Sequence, residues 1–175
     1  MQIDSGQLAP HFTLLGLDGQ EYSLPRDLNA EPLVVVFLRV KCATCDVAFP
    51  YFNRLRETCA EGWQMWAVCQ DEPAAAAAYR DRFGITYPVL LDAEGLDVSK
   101  LYDPPSTPTF YLVGPDGRIE YSSEGFAKED INELSVRIAA YLGVEPVQVA
   151  PADDGNPAMK PGCMARQRFP NARRA

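Results

Sequence analysis

The order of apolar and polar positions predicts a chain that alternates short strands with helices. Leu33 to Leu38 form a continuous apolar run rich in β-branched residues, which is typical of a strand covered on both faces. Further short apolar runs predict strands at Trp66 to Cys69 and Val89 to Leu91. Two hairpins are predicted around Asp-Gly turns, over residues 11–15 with 20–24 and over residues 109–113 with 118–122. This pattern alone indicates an α/β protein.

Four helices are predicted between these strands. The first begins at or just after Cys42 and runs to about Ala60, with Pro50 inside it as a predicted kink. The second runs from Pro73 to Phe83, with Asp71 as its N-terminal cap and Gly84 at its end. One or two turns are predicted over residues 95–102, and an amphipathic helix closes the pattern over residues 128–142.

The chemistry in this sequence is concentrated at Cys42-Ala43-Thr44-Cys45, between the buried strand and the first helix. A sulfur at a helix start lies beside unpaired backbone N–H groups and the positive end of the helix dipole, which favour the thiolate. Cys45 lies one turn deeper on the same face, and Lys41 adds a neighbouring positive charge. We therefore expect an exposed thiolate of low pKa with a second thiol in bonding reach, a pair able to exchange with disulfides.

A C-x-x-C pair is also half of a common zinc site. Here the other cysteines (Cys59, Cys69 and Cys163) stand apart in sequence, and the single histidine, His11, lies far upstream. No second ligand pair is present, and no histidine follows Cys45 to form a copper site. We therefore predict no metal, and inert roles for Cys59 and Cys69.

The dithiol and its surroundings resemble the active site of the thioredoxin superfamily. Cys42, Cys45 and a proline five residues later, Pro50, match its active-site helix, and Ser106 to Val113 resembles its cis-proline loop and following strand. Three further segments resemble the redoxin branch, which holds peroxiredoxins and TlpA/ResA-like thiol-disulfide oxidoreductases; they are residues 9–14, 87–92 and 114–119. The match covers roughly residues 5–143, in the expected order.

The resemblance implies a thioredoxin-like α/β fold: a central mixed sheet flanked by helices, with an N-terminal hairpin and a redoxin-type insertion. It implies a thiol-disulfide oxidoreductase in which Cys42 is the nucleophile and Cys45 resolves the mixed disulfide. Thr107, Pro108 and Lys41 are the expected substrate-binding residues. No cofactor is expected, because the cysteine pair carries the electrons. The expected partners are protein or small-molecule disulfides and a reductant, with an antioxidant role.

Two other functions use the same thiols. In a peroxiredoxin-like peroxidase Cys45 attacks the peroxide, but the family's P-x-x-x-T-x-x-C pattern has Leu38 and Cys42 at its upstream positions here. In a redox sensor the dithiol reports oxidation to a partner without turnover. The dithiol also departs from thioredoxin itself: Lys41 replaces the usual Trp, Ala43-Thr44 replaces Gly-Pro, and Val36 occupies the position of the buried acid.

Charge and composition exclude some partners and mark a second region. The net charge of -8 and the pI near 4.6 disfavour binding to nucleic acid or anionic membranes.

Residues 1–143 form the predicted redoxin domain, and residues 144–175 form a Pro-rich C-terminal extension with five Lys/Arg against three acids. We expect a solvated tail. The alternatives are that it folds back on the acidic body, or that Cys163 in Pro161-Gly162-Cys163 is a third redox thiol.

The cysteine usage favours a reducing compartment. Five cysteines, with two closely spaced, do not form a typical secreted disulfide framework. The sequence also contains no secretory signal pattern and no apolar run as long as a membrane span. A cytoplasmic location is therefore predicted, unless a signal sequence has been removed.

Overall fold

A computed structural model describes residues 3–169 of the chain. Its strands, in chain order, are β1 (Phe12–Leu15), β2 (Glu21–Leu24), β3 (Leu33–Leu38), β4 (Gln64–Cys69), β5 (Val89–Leu91), β6 (Ser106–Thr107), β7 (Thr109–Val113), β8 (Ile119–Glu124), β9 (Phe126–Ala127), β10 (Met159–Lys160) and β11 (Cys163–Met164). The α-helices are α1 (Ala43–Thr58), α2 (Pro73–Phe83), α3 (Asp97–Tyr102) and α4 (Lys128–Leu142). The predicted strands and helices are all present.

The central sheet has five strands in the order β5-β4-β3-β7-β8. The strand β3 lies in the middle, parallel to β4 and antiparallel to β7. All six β3 residues are buried, because both faces of the sheet are covered, as the continuous apolar run predicts. The fold is the predicted α/β fold with a mixed sheet, and the dithiol follows its central strand.

Alternate residues of β3 enter two separate cores. Val34 and Val36 face the core formed with α1, α2 and α4. Val35 and Phe37 face a second core, closed by the β1–β2 hairpin and α3. Trp66 belongs to this second core, whereas Cys42 and Cys45 belong to the first. Trp66 and the dithiol therefore lie on opposite sides of the sheet, because neighbouring residues of a strand point to opposite faces.

The start of α2 differs from its prediction. The N-cap position is Glu72, whose side chain makes no capping hydrogen bond. Asp71 instead accepts a hydrogen bond from the backbone N–H of Val40 at 2.8 Å, across the end of β3. The predicted cap residue thus holds the segment that leads into the dithiol. Gly84 ends α2 as predicted, in the left-handed conformation.

Residues 144–169 pack against the body of the protein. Val149, Ala150 and Ala165 are buried, β10 pairs with β9, and β11 pairs with β6. Lys128 of α4 is buried and donates to Asp154 at 2.5 Å, so an ion pair joins the segment to the core. The expectation of a solvated tail is wrong for these residues, since apolar burial and short strands hold them. Residues 170–175, with the predicted basic end of the tail, lie outside the described residues.

Candidate active site

The end of β3 and the start of α1 place the two cysteines. Cys42 is the N-cap residue of α1, with an extended backbone, and its sulfur accepts a hydrogen bond from the backbone N–H of Cys45 at 3.3 Å. This contact satisfies one of the unpaired N–H groups at the helix start with a sulfur in place of the usual cap oxygen. The helix thus directs its positive end at Cys42, as the sequence predicts.

The predicted proline loop closes against the same sulfur. The peptide bond between Thr107 and Pro108 is cis. Thr107 is fully buried, and its carbonyl oxygen accepts a hydrogen bond from the Cys42 thiol at 3.1 Å. The structure therefore brings together Cys42, Cys45, Thr107 and Pro108, four of the five residues predicted for the site. Lys41, the fifth, is an exposed neighbour at its rim.

The surroundings of Cys42 favour its charged form. The Cys45 thiol donates a hydrogen bond to the Cys42 sulfur, and this is the largest effect that lowers the pKa of Cys42. Cys163 and the backbone N–H of Cys45 lower it further, whereas burial raises it. The resulting pKa of Cys42 is about 5. A thiol donates to the Thr107 carbonyl and a thiolate does not, so that contact favours the neutral form. The donors outweigh it, and Cys42 is a thiolate at neutral pH.

Cys45 has the opposite properties. It is completely buried, and burial raises its pKa well above the usual range, with a further rise from the charge on Cys42. Cys42 is therefore the sulfur that can attack as a thiolate, and Cys45 is the sulfur that stays protonated until a later step. Val36, at the position of the thioredoxin acid, is buried in the same core and carries no titratable group.

Cys59 and Cys69 lie away from this chemistry. Burial raises the pKa of Cys69 to about 12, and burial also raises that of Cys59, which lies at the C-terminal end of α1. Neither thiol is charged at neutral pH, which agrees with the inert roles predicted for them. Within residues 3–169, no cluster of three or more His, Cys, Asp or Glu side chains is arranged to hold a metal ion.

A third cysteine reaches the site from the C-terminal segment. We call residues 159–164, which carry β10 and β11, the strap. In β11, Cys163 stands opposite Thr107 in an antiparallel ladder. Its thiol lies in hydrogen-bonding contact with the Cys42 sulfur, and burial together with that contact raises the pKa of Cys163. A redox role for Cys163, in Pro161-Gly162-Cys163, was only an alternative prediction; the position of Cys163 beside the dithiol follows from the pairing of β11 with the distant strand β6.

The strap changes the accessibility of the nucleophile. Cys42 is 2% exposed, so the prediction of an exposed thiolate is wrong for this conformation. The strap crosses the start of α1, where Thr44 donates to the Pro161 carbonyl at 2.7 Å and Lys160 donates to the Ala43 carbonyl at 3.3 Å. At the last residue of the strap, the Met164 carbonyl accepts a hydrogen bond from Arg39 at 2.7 Å. These contacts hold the strap over the dithiol.

Comparisons with known proteins agree with this architecture. The AhpC/TSA family matches residues 5–122. Thiol-disulfide oxidoreductase ResA of Geobacillus thermodenitrificans is 30% identical over 131 residues, which cover 73% of this chain and 74% of the relative. Thioredoxin-like protein YneN of Bacillus subtilis is 28% identical over 122 residues, covering 67% and 70% of the two chains.

Solved structures share the fold. A Chlorobium tepidum protein provisionally assigned as thiol:disulfide interchange protein DsbE superposes with a TM-score of 0.72 at 28% identity, covering 81% of this chain and all of its own. An uncharacterised conserved protein from Geobacillus kaustophilus gives a TM-score of 0.72 at 21% identity and covers 93% of this chain and 92% of its own. A match of that coverage extends into the C-terminal segment.

Disulfide exchange is indicated by three findings: the geometry of the dithiol, the matching family and the ResA-like relatives. The described helices include none that is long and apolar enough to cross a membrane. This chain belongs to the AhpC/TSA family, in the redoxin branch of the thioredoxin superfamily, and is a thiol-disulfide oxidoreductase.

Proposed function

We propose that Cys42 attacks the disulfide of a protein or small-molecule substrate and that Cys45 releases the product. The observation that carries this assignment is the position of the two sulfurs on α1: Cys42 caps the helix start and accepts a hydrogen bond from the backbone N–H of Cys45, whereas Cys45 lies within the helix. Cys42 has a pKa of about 5 and caps the start of α1, whereas the pKa of the buried Cys45 is raised. A thiolate is the attacking species in disulfide exchange, so Cys42 acts first.

The exchange has two steps. The Cys42 thiolate forms a bond to one substrate sulfur, and the other substrate sulfur leaves and takes up a proton. Cys45 then loses its proton and attacks the Cys42 sulfur, which forms the Cys42–Cys45 disulfide and expels the second substrate sulfur. Two electrons pass from the dithiol to the substrate. A reductant then restores the dithiol, and we propose that it is a protein or small thiol.

Thr107 and Pro108 are proposed to position the substrate. In this proposal, the substrate residue next to the reacting cysteine lies along the backbone of Thr107. In the present conformation the same backbone edge of β6 pairs with β11. A substrate therefore needs the strap to leave. Lys41 is exposed beside Cys42, and we propose that its charge attracts acidic groups near the substrate disulfide.

The peroxidase alternative is less well supported. It makes Cys45 the attacking sulfur, yet Cys45 is fully buried and burial raises its pKa. The threonine hydroxyl that positions peroxide in that family is replaced by the Cys42 sulfur. If this alternative held, reduced protein would react with hydrogen peroxide far faster than an ordinary thiolate, and the fast reaction would persist in Cys42→Ser and vanish in Cys45→Ser.

Turnover of a protein disulfide with an excess of reductant tests the proposal. We expect the wild-type protein to turn over, Cys42→Ser to lose activity, and Cys45→Ser to accumulate mixed disulfides with the substrate. Cys59→Ser is the matched control and retains activity. Full activity in Cys42→Ser would contradict the assigned roles, and absence of turnover in the wild type would favour a redox sensor. A cytoplasmic location stays a prediction, which cell fractionation tests.

A further inference from the structure

The strap has the geometry of a substrate bound to its own enzyme. It is extended, pairs antiparallel with β6, and presents a cysteine at the register of Thr107. The carbonyl of Thr107 is the group that contacts the Cys42 sulfur, so Cys42 and Cys163 converge on one residue from two sides. The Cys163 side chain also packs against the core cluster that contains Cys42.

The fold contains specific features that accommodate the strap. A Cβ at Gly162 would lie 2.2 Å from Ser106 Oγ and 2.6 Å from Ser106 Cβ, so this position brings the strap backbone against β6. A Cβ at Gly125 would lie 2.8 Å from the Lys160 carbonyl oxygen, and Gly125 has a φ of +71°. Gly125 on the body leaves space for the strap backbone, and Gly162 on the strap leaves space for Ser106 of β6. Such a close approach indicates a defined docking position for Cys163.

We propose that Cys163 is a third redox-active thiol of this enzyme, which competes with Cys45 for the sulfur of Cys42. The oxidised protein then exchanges between two intramolecular disulfides, Cys42–Cys45 and Cys42–Cys163. This inference rests on the function proposed above and extends it, since it gives Cys42 an internal substrate in place of an external one.

The exchange conserves electrons and atoms. Starting from the Cys42–Cys45 disulfide, deprotonated Cys163 attacks the Cys42 sulfur. A bond forms between Cys42 and Cys163, the bond to Cys45 breaks, and Cys45 leaves with the proton that Cys163 gave up. No external oxidant or reductant is consumed. The same attack on a mixed disulfide between Cys42 and a substrate expels the substrate sulfur.

The two competing thiols differ in accessibility. Cys45 is completely buried, whereas Cys163 is half-buried on a segment that joins the body through short strands. In the Cys42–Cys163 disulfide the strap is covalently held over the dithiol and blocks the substrate edge. In the Cys42–Cys45 disulfide the strap is held by its noncovalent contacts alone. Cys163 therefore couples the redox state of the dithiol to the access of substrate to the Thr107 edge.

Tryptic mapping without reduction tests the proposal in the full chain. Trypsin places Cys42 and Cys45 in residues 42–54, Cys59 and Cys69 in residues 57–80, and Cys163 in residues 138–166. Reduced Cys45→Ser protein is oxidised with diamide, and its remaining thiols are then blocked with iodoacetamide. We expect a cross-linked pair of residues 42–54 and 138–166 in a monomer. Wild-type protein should give this pair together with the disulfide internal to residues 42–54.

A second measurement separates this inference from the proposed function. During turnover, the double variant Cys45→Ser/Cys163→Ser should accumulate several-fold more mixed disulfide than Cys45→Ser, because no internal thiol remains to release the substrate. Cys45→Ser/Cys59→Ser is the matched control. If wild-type protein turns over substrate but the cross-link is absent and the double variant traps no more than the single variant, the role of Cys163 is wrong and the function stands. If wild-type protein shows no turnover, the proposed function itself fails.

Discussion

The Cys42 thiol donates a hydrogen bond to the carbonyl oxygen of Thr107 at 3.1 Å, and this contact joins the dithiol to the proline loop. The thiolate of Cys42 loses that bond and depends on donors around it, namely the thiols of Cys45 and Cys163, the backbone N–H of Cys45 and the side chain of Thr107. Deprotonation of one sulfur therefore replaces a bond to the Thr107 carbonyl with stronger acceptance from these donors.

The titration of Cys42 gives the first prediction. With a folded-state pKa of about 5, its thiolate should form with a midpoint near pH 5. The measurement is the ultraviolet absorbance of the thiolate, taken as the difference between the wild-type protein and Cys42→Ser. Cys45→Ala should move the midpoint upward, because the strongest hydrogen-bond donor is lost. A wild-type midpoint near that of an ordinary free cysteine would contradict the assignment.

The same shift predicts a pH-dependent stability. The pKa of Cys42 is lower in the folded state, about 5, than in the unfolded state, about 8.5. Its contribution to the free energy of unfolding is therefore fully present above about pH 8.5 and is lost as the pH falls to about 5. Urea denaturation of wild type and Cys42→Ser should give a stability difference that decreases over this range as the pH falls. A difference that is constant with pH would count against the thiolate.

Gly162 gives a prediction about access to the site. In Gly162→Ala the new Cβ meets Ser106, so the strap separates from β6 and Cys42 becomes more exposed. We expect alkylation of Cys42 to accelerate several-fold, at a stability cost of about 1–3 kcal/mol, typical of overpacking. The readout is the modified fraction of residues 42–54 by mass spectrometry. Adding Ser106→Gly removes both Ser106 contacts and should restore slow alkylation; equally fast alkylation in the double variant would show that the clash with Ser106 is not the cause.

Sequence patterns predicted the parts of the site that depend on local structure. The apolar run before Cys42 and the C-x-x-C spacing predicted a helix start at the end of a buried strand, and α1 does begin at Ala43. The closing helix, with apolar positions at helical spacing, was predicted at its observed bounds, residues 128–142.

The remaining parts of the site depend on contacts between distant segments. The strap has no hydrophobic period, and its position comes from pairing with β6 and β9 and from the space at Gly125 and Gly162. The burial of Cys42 follows from that position. Asp71 was misassigned for a related reason. An Asp two residues before a proline is typical of a helix N-cap, but the Asp71 carboxylate instead accepts a hydrogen bond from the backbone N–H of Val40, which is distant in sequence.

Asp154 provides a prediction for how the C-terminal segment is anchored. It accepts hydrogen bonds from Lys128 at 2.5 Å and from Tyr51 at 2.5 Å, and Lys128 with these other donors lowers the pKa of Asp154 to about 2. Asp154→Asn leaves the buried ammonium of Lys128 without its counter-charge. We expect a lower Tm and faster alkylation of Cys163. Asp153→Asn, one residue earlier and exposed, is the matched control and should change neither quantity.

The pH dependence of this anchor has a defined direction. Because the pKa of Asp154 is about 2 when folded and about 3.9 when unfolded, its stabilising effect is present above about pH 4 and is lost as the pH falls toward 2. The difference in Tm between wild type and Asp154→Asn should therefore be constant near neutral pH and shrink below about pH 4. A difference in Tm that already shrinks between pH 7 and 5 would show that the titration of Asp154 does not control this anchor.

The helix α4 allows a test of the core that supports the dithiol. Leu134 is fully buried in the core that also contains Cys42 and Cys45, whereas Val136, on the same helix, is 46% exposed. Leu134→Ala removes packed methyl groups and leaves a cavity, so it should lower the free energy of unfolding by about 2–5 kcal/mol. Val136→Ala should change it by less than about 0.5 kcal/mol. Urea denaturation measures both; equal effects would mean that α4 does not pack its Leu134 face on the sheet.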